Sequence, residues 1–202
     1  GTRGLFGGGY SGSDSNVIDY ITIATTGNAT DFGDLTQARY QASACSDETR
    51  GVFCGGRVGA GNVNTIDYVT IQSTGNATDF GDLANARGSA GVCDNLVRGV
   101  ISCGYENPAA GQVNSNRIEY ITIASTGNAI DFGDATVARR QTASCDNLIR
   151  GVTGGGFSTV STNVIDYVTI ATTGNAIDFG DLTVARQDNT GTDNRVRGIF
   201  AG

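Results

Sequence analysis

The octapeptide Asn175-Ala176-Ile177-Asp178-Phe179-Gly180-Asp181-Leu182 is the last of four near-copies within a chain of 202 residues. The earlier copies centre on D-F-G-D tetrapeptides at residues 31–34, 79–82 and 131–134. Each copy follows a T-G-N turn and precedes an Ala-Arg pair, whose arginines are Arg39, Arg87, Arg139 and Arg186. Self-similarity at a fixed period indicates a repeat architecture, so the fold can be predicted before any single residue is assigned a chemical role.

The start of each repeat is marked by an Arg-Gly-aliphatic segment. These segments begin 47 to 52 residues apart, at Arg3, Arg50, Arg98, Arg150 and Arg197. We therefore interpret residues 1–202 as a single repeat domain. The approximate repeats are 3–49, 50–97, 98–149 and 150–196, and 197–202 starts a fifth copy or supplies a closing strand.

The local pattern inside each repeat predicts strands and no helices. In the first repeat, short strands are expected at Leu5–Gly9, Val17–Ile23, Ala29–Leu35 and Arg39–Cys45, because apolar or alternating runs are bounded there by Gly and Asn turn residues. No stretch has 3.6-residue periodicity. Four short antiparallel strands in about 48 residues predict an all-β protein, a β-propeller of four-stranded blades, either as a ring of about four repeats or as part of a larger ring.

Composition excludes several functions. The formal net charge is −7, and all thirteen basic residues are arginines, without a basic patch that would bind nucleic-acid phosphates or anionic lipid. The chain has no His, which is the usual general base and a common metal ligand, and no Lys for Schiff-base chemistry. No apolar run is long enough for membrane insertion. We predict no cofactor, no metal site and no catalytic residue.

Five cysteines occupy positions 45, 54, 93, 103 and 145. Their odd number and wide spacing do not indicate a disulfide framework. Cys45, Cys93 and Cys145 each precede a repeat-starting arginine by five residues, and Thr192 takes that position in the last copy. The pattern favours a small, half-buried packing position over a reactive thiol.

The repeat resembles the kelch repeat. The resemblance is carried by the run Val52-Phe53-Cys54-Gly55-Gly56, then Tyr68, Phe80 and the pair Ala86-Arg87. Kelch repeats usually have Trp as the late aromatic, whereas this chain has Phe in every copy: Phe32, Phe80, Phe132 and Phe179. The repeated motif I-D-Y-I-T-I-A-T-T-G-N-A-x-D-F-G-D-L also resembles repeats of kelch-like virion structural or tail-associated proteins of marine tailed phages. This resemblance implies a location in a virion or outside the cell.

An acid and an arginine recur five residues apart in every copy. The pairs are Asp34 with Arg39, Asp82 with Arg87, Asp134 with Arg139, and Asp181 with Arg186. We predict that the arginines hold carboxylates between strands or blades by bidentate contacts. Calcium binding by the recurring aspartates is the alternative, but the D-x-x-D spacing lacks the denser oxygen-ligand pattern of calcium loops.

The segments after the glycine pairs differ most between copies. They are residues 10–15, 57–64, 105–116 and 157–162, and the third is the longest and contains Pro108 and Gln112. Binding residues usually lie on loops that vary while the scaffold does not. The candidate binding residues are Tyr10, Arg57, Tyr105, Glu106 and Phe157, since aromatic and Arg side chains stack on sugars or anchor protein partners.

Three classes of function follow from the sequence. A non-enzymatic structural or interaction module is favoured, with loops that bind a protein partner or a cell-surface glycan, as a homo-oligomer or part of a virion assembly. A secreted glycan-binding propeller is the alternative. A kelch-type enzyme is a remote one, because galactose-oxidase-like members need His ligands for copper. Ring closure stays open between four blades, a segment of a larger ring, and two chains completing one ring.

Overall fold

The computed structural model describes residues 1–107, 111 and 113–202. Pro108 and Gln112, two features of the longest variable loop, therefore lie outside the described residues. Throughout the described ranges the backbone forms strands, turns and irregular connections and no helix. The predicted all-β class is confirmed.

The main strands form three antiparallel sheets of four strands each, all with the same strand order. A three-stranded sheet precedes them and a two-stranded sheet follows them. Sheet 1 contains β1 (Arg3–Tyr10), β2 (Asp14–Thr22) and β3 (Thr30–Asp34) in that order. Sheet 2 has the order β4-β5-β8-β9, where β4 is Ser43–Ser46, β5 is Arg50–Cys54, β8 is Thr65–Thr70 and β9 is Thr78–Asp82.

Sheets 3 and 4 repeat the plan of sheet 2. Sheet 3 has the order β11-β12-β15-β16, comprising Gly91–Asp94, Arg98–Ser102, Arg117–Thr122 and Ile130–Asp134. Sheet 4 has the order β17-β18-β19-β20, comprising Ala143–Asp146, Arg150–Gly154, Thr162–Thr169 and Ile177–Arg186. Sheet 5 contains only β21 (Thr190–Asp193) and β22 (Gly198–Ala201).

Short strands in the variable loops complete the architecture. β6 (Arg57–Val58) pairs with β7 (Gly61–Asn62) as a small hairpin. β10 (Arg87–Gly88), β13 (Tyr105–Glu106) and β14 (Val113–Asn114) form a separate three-stranded sheet in the order β10-β13-β14. These strands tie variable loops to the connections between the main sheets.

Consecutive sheets pack through their apolar side chains and through their first strands. The first strands β4, β11, β17 and β21 contact one another in sequence. Phe80 of sheet 2 lies in one buried cluster with Ile121 and Ile123 of sheet 3, and Phe132 of sheet 3 lies in one with Val168 and Ile170 of sheet 4. No single small sheet could bury both of its faces, so each sheet depends on its neighbours for burial.

The Arg-Gly start of each repeat has a steric explanation. A Cβ at Gly99 would lie 2.4 Å from Sγ of Cys45, one at Gly151 2.2 Å from Sγ of Cys93, and one at Gly198 2.4 Å from Sγ of Cys145. The thiol of the preceding sheet fills the space where a side chain would stand. These three cysteines are fully buried, and the half-buried position predicted for them is wrong.

Two details of the predicted strands differ in the structure. The strand expected at Arg39–Cys45 begins only at Ser43, because Arg39 belongs to the connection and its side chain is buried between sheets. The fourth strand of repeat 4 is β21, which begins only at Thr190, and it pairs with β22. The described strands therefore form an open series of sheets and no closed ring.

Candidate interaction face

Three of the four repeated arginines are buried and hold a carboxylate of the next sheet. Nη2 of Arg39 lies 2.9 Å from Oδ2 of Asp67, Nη2 of Arg139 lies 3.0 Å from Oδ2 of Asp166, and Arg87 pairs with Glu119. The prediction that these arginines bridge strands or sheets through carboxylates is confirmed for Arg39, Arg87 and Arg139. The bidentate geometry is wrong, because a single guanidinium nitrogen makes each ion pair.

The predicted acidic partners are also wrong. Among the described residues, no ion pair is formed by Asp34, Asp82, Asp134 or Asp181. The true partners lie at the centre of the Ile-Asp-Tyr or Ile-Glu-Tyr segments, where an acid interrupts an apolar strand. That interruption, repeated in phase, was the sequence signal for a buried ion pair.

Burial governs the electrostatics of these pairs. Desolvation lowers the pKa of Arg39 and of Arg87, and the adjacent carboxylates Asp67 and Glu119 oppose that decrease. Further donors satisfy the buried acid: the hydroxyl of Thr36 donates to Oδ1 of Asp67 at 2.6 Å, and its N–H donates to Oδ2 at 3.2 Å. Nε of Arg39, Arg87 and Arg139 has no hydrogen-bond partner among the described residues, so the arginine side of each pair is only partly satisfied. Removing either partner of such a buried pair leaves an uncompensated charge, which gives these clusters a structural role.

The D-F-G-D segments dock on the T-G-N turns of the following repeat through backbone hydrogen bonds. The N–H of Gly75 donates to the carbonyl of Phe32, the N–H of Ala77 to the carbonyl of Asp34, and Oδ1 of Asn76 accepts from the N–H of Asp34. The aspartate side chains take no part in this backbone docking. The D-F-G-D segment thus provides the backbone acceptors and the N–H donor that position the turn of the next sheet.

The variable loops of successive sheets contact one another along one side of the series of sheets. Asp14 accepts a hydrogen bond from the N–H of Gly59 at 2.7 Å, which joins the first loop to the second. Asn62 donates to the carbonyl of Tyr105, and Asn114 donates to the carbonyl of Ser158, which join the second to the third and the third to the fourth. The four loops form one continuous surface, which we call the loop face.

One end of the loop face is a cluster of two tyrosines and an arginine. The rings of Tyr10 and Tyr40 are 5.5 Å apart at 52°, and the guanidinium of Arg57 lies 5.7 Å from the centre of the Tyr40 ring. The hydroxyl of Tyr40 donates to the carbonyl of Gly59 at 3.0 Å, which fixes its ring. The ring of Tyr10 is 65% exposed and available for stacking.

The other end of the loop face is a ring–guanidinium–ring stack. The guanidinium of Arg140 lies 4.4 Å from the ring centre of Tyr105 and 4.5 Å from that of Phe157. Nη1 of Arg140 donates to Oδ1 of Asn114 at 2.9 Å. Cation–π geometry of this kind fixes a long, flexible side chain in one position without neutralising its charge.

Gly88 separates the two clusters. A Cβ at Gly88 would lie 3.2 Å from Cγ of Arg57, so the glycine leaves room for that side chain. On either side, Arg57 and Arg140 form no ion pair with a carboxylate of the described residues. The face therefore presents two fixed positive charges, flanked by aromatic rings, within an otherwise acidic chain.

The structure brings together four of the five predicted binding residues, namely Tyr10, Arg57, Tyr105 and Phe157. Glu106 is buried instead: Oε1 accepts from Ser115 at 2.6 Å and Oε2 accepts from Asn85 at 3.0 Å. We correct its assignment from loop ligand to internal support of the third loop.

Sequence reasoning missed Tyr40 and Arg140, which complete the two clusters. Both immediately follow the buried arginine of the Ala-Arg pair, a position occupied by Gly88 and Gln187 in the other copies. The position varies as strongly as the post-glycine positions do, and that variation was the available signal.

The remaining chemistry is sparse. Within residues 1–107, 111 and 113–202, no group of three or more His, Cys, Asp or Glu side chains is placed to hold a metal ion. Desolvation raises the pKa of the buried thiols of Cys103 and Cys145 to about 11, which keeps them protonated at neutral pH. None of the described residues forms a helix that could cross a membrane.

Comparison with known proteins adds no family assignment. A scan against protein-family models finds no model that matches the chain, and a search of curated proteins finds no significant match.

Proposed function

We propose that this chain is a non-enzymatic interaction module, a kelch-like β-propeller scaffold whose sheets are blades and whose loop face binds a partner. The observation that carries the proposal is the row formed by Tyr10, Tyr40, Arg57, Tyr105, Arg140 and Phe157 on neighbouring loops. Aromatic and arginine side chains that are already ordered bind at low entropic cost and dominate interface energetics.

The resemblance to kelch-like proteins of marine tailed phages suggests where the module acts. We propose that it is a virion component, associated with the tail, whose loop face contacts a protein or the host surface. The net charge of −7 supports a role away from nucleic acid, since the two guanidinium groups on the loop face, those of Arg57 and Arg140, are too few to track a phosphate backbone.

Glycan binding is the second candidate, and the exposed ring of Tyr10 favours it. A flat ring with an open face stacks on the apolar face of a sugar, and a neighbouring guanidinium such as that of Arg57 donates hydrogen bonds to hydroxyl or carboxylate groups. A protein surface rich in acidic and aromatic residues would use the same groups.

The test is to measure binding of the purified chain to an array of neutral and acidic glycans and to intact bacterial cells. Tyr10→Ala and Arg140→Ala address the two clusters separately. Glu48→Ala is the matched control, because Glu48 lies in the turn between β4 and β5 at the opposite end of sheet 2. We expect the first two variants to lose binding at least tenfold and the control to retain it.

Binding to a subset of glycans, lost in Tyr10→Ala, would support the glycan candidate. Binding to cells without any array signal would support a protein partner. If a bound target is retained by both loop variants, the loop face is not the binding surface and the proposal is wrong.

A further inference from the structure

The three internal junctions between sheets 1 and 2, 2 and 3, and 3 and 4 use one set of contacts. The N–H of a T-G-N glycine donates to the carbonyl of the preceding sheet's phenylalanine at 2.7 Å in every case: Gly75 to Phe32, Gly127 to Phe80, and Gly174 to Phe132. The buried ion pairs Arg39–Asp67, Arg87–Glu119 and Arg139–Asp166 cross the same three junctions. Each junction therefore joins two halves of known composition. The D-F-G-D half of the earlier sheet supplies the phenylalanine carbonyl and the buried arginine, and the T-G-N half of the later sheet supplies the turn glycine and the acid.

Sheet 4 presents an uncovered D-F-G-D half, because sheet 5 contains only β21 and β22 among the described strands. Phe179 is 54% exposed, although it makes the same edge-to-face contact with Tyr167 that its equivalents make with their tyrosines. A Cβ at Gly180 would meet nothing within 4 Å, whereas one at Gly133 would lie 2.5 Å from the carbonyl oxygen of Gly174. Arg186 forms no ion pair with a described residue, unlike the three equivalent arginines.

Sheet 1 presents an uncovered T-G-N half of the same junction. Asp19 stands where Asp67, Glu119 and Asp166 stand in the later sheets, and it has no arginine partner within the described chain. Ile23 is 64% exposed, whereas its equivalents Ile71, Ile123 and Ile170 are buried. The turn at Gly27 and Asn28 corresponds to the turns that receive the D-F-G-D backbone elsewhere.

We propose that a second copy of this chain docks head to tail, with its sheet 1 on sheet 4 of the first. Arg186 of one copy then pairs with Asp19 of the other, Phe179 packs on Ile23, and the Gly27 N–H donates to the Phe179 carbonyl. A second copy is inferred because its exposed half has the complementary charge and because the new contact would repeat the three existing junctions. A heterologous contact of this type builds rings or open filaments.

The first strand of sheet 5 fits the same assembly. Sheet 1 lacks a strand equivalent to β4, and a groove of about 300 Å³ lies there, lined by Arg3, Leu5, Ala44 and Cys45 among others. In β21, Thr192 stands at the repeat position of Cys45 and pairs with Ile199 of β22. β21 of one copy enters this groove and pairs with β1 of the other, in the register it has with β22.

This pairing requires an exchange of strands. β1 and β22 are the same element of the repeat, Arg3-Gly4-Leu5-Phe6 and Arg197-Gly198-Ile199-Phe200. Both cannot occupy one position beside β21, so β1 of the incoming copy replaces β22. The exchanged strand recovers the same backbone hydrogen bonds and joins β21 to the existing sheet of β1, β2 and β3, whereas β22 joins it to no further strand.

The docking is tested by charge reversal and light scattering after size exclusion, over a series of concentrations. We expect the wild-type mass to rise at least twofold above 20.7 kDa, and Asp19→Arg and Arg186→Asp to remain at 20.7 kDa. Mixing the two variants restores the wild-type mass, because each chain then offers a complementary end to the other. Glu48→Arg, a charge reversal away from both ends, behaves as the wild type.

Two outcomes would overturn the docking. One is a wild-type chain that is monomeric at every soluble concentration. If, in addition, both charge reversals lower the melting temperature of the monomer, Arg186 and Asp19 pair within one chain instead of between two. The other is association that neither variant weakens. Circular dichroism on each variant separates a lost contact from a lost fold.

The strand exchange is tested by Gly198→Leu in the full chain. Its side chain clashes with Cys145 and weakens the seating of β22, but leaves β1 unchanged. We expect association to become at least threefold tighter than in the wild type. Weaker or unchanged association would show that β22 stays in place and that the exchange is wrong. Because the variants lie outside the loop face, glycan or cell binding reports on the proposed function separately.

Discussion

Phe132 and Phe179 occupy the same position of the same repeat and have opposite environments. Each makes an edge-to-face contact with a tyrosine of its own sheet, at 6.0 Å between ring centres. Phe132 is 3% exposed because sheet 4 covers it, while Phe179 is 54% exposed on the outer face of sheet 4. The repeat sequence supplies only half of each junction, and the neighbouring sheet decides whether that half is buried.

The largest expected effect of this difference is on stability. Phe132→Ala removes a buried ring and leaves a cavity, so we expect a loss of about 3 to 5 kcal/mol in the free energy of unfolding. Phe179→Ala should lose about 1 kcal/mol, mainly its contact with Tyr167. Urea unfolding at a concentration that keeps chains apart measures both. Equal losses would mean that Phe179 is covered in solution.

The same comparison can be made with the repeated arginines, one in a buried ion pair and one without a carboxylate partner. Arg139→Ala leaves the buried carboxylate of Asp166 without its arginine, and we expect destabilisation of about 3 kcal/mol or more. Arg186→Ala removes an arginine that holds no carboxylate, and a change within about 0.5 kcal/mol is expected. Melting temperatures of the two variants and of the wild type, taken at a concentration that keeps chains apart, check this. An unchanged melting temperature for Arg139→Ala would refute the structural role of the pair.

Gly133 and Gly180 allow the steric contribution of the junction to be separated from backbone strain. Gly133 and Gly180 both have positive φ, 144° and 132°, so alanine is strained at either position. Only at Gly133 does the new methyl group also meet the next sheet's backbone, and we expect an additional cost of about 1 to 3 kcal/mol there. Chemical denaturation of the two alanine variants gives this difference directly. The same cost at both positions would exclude a junction-specific clash.

The last expected effect concerns pH, and it is small for each pH unit. Cys145 is buried and its thiol pKa is raised to about 11 by desolvation. The unfolded thiol ionises near pH 8.5, so above that pH the folded state binds more protons and stability falls until the folded pKa is reached, by about 1.4 kcal/mol per pH unit for one thiol. Cys145→Thr copies the residue at Thr192 and should reduce this slope. The slope of unfolding free energy between pH 9 and 10.5 is the measurement, and an unaltered slope would contradict the assignment.

Much of the fold could be predicted because its signals are local and repeated. The Gly-Asn turns and the β-branched runs specify strands by short-range geometry, and their recurrence specifies similar sheets. The strand ends were harder to predict. Arg39 follows an extended pattern, yet its side chain is needed between sheets, and β4 begins four residues later at Ser43.

The candidate site was predictable only in part. Tyr10, Arg57, Tyr105 and Phe157 could be found because they follow glycine pairs at matching positions. Tyr40 and Arg140 come from a different connection and join them only through tertiary proximity. Glu106 looks like an exposed loop acid in the sequence, but hydrogen bonds from Asn85 and Ser115 hold it inside.

The sequence by itself determined the period, the all-β class and the position of each variable loop, because turn chemistry and alternation act over a few residues. The tertiary structure decided which acid pairs with which arginine and which rings stack on the loop face. Those outcomes depend on contacts between residues tens of positions apart, and no local pattern encodes which neighbouring sheet is present to make them.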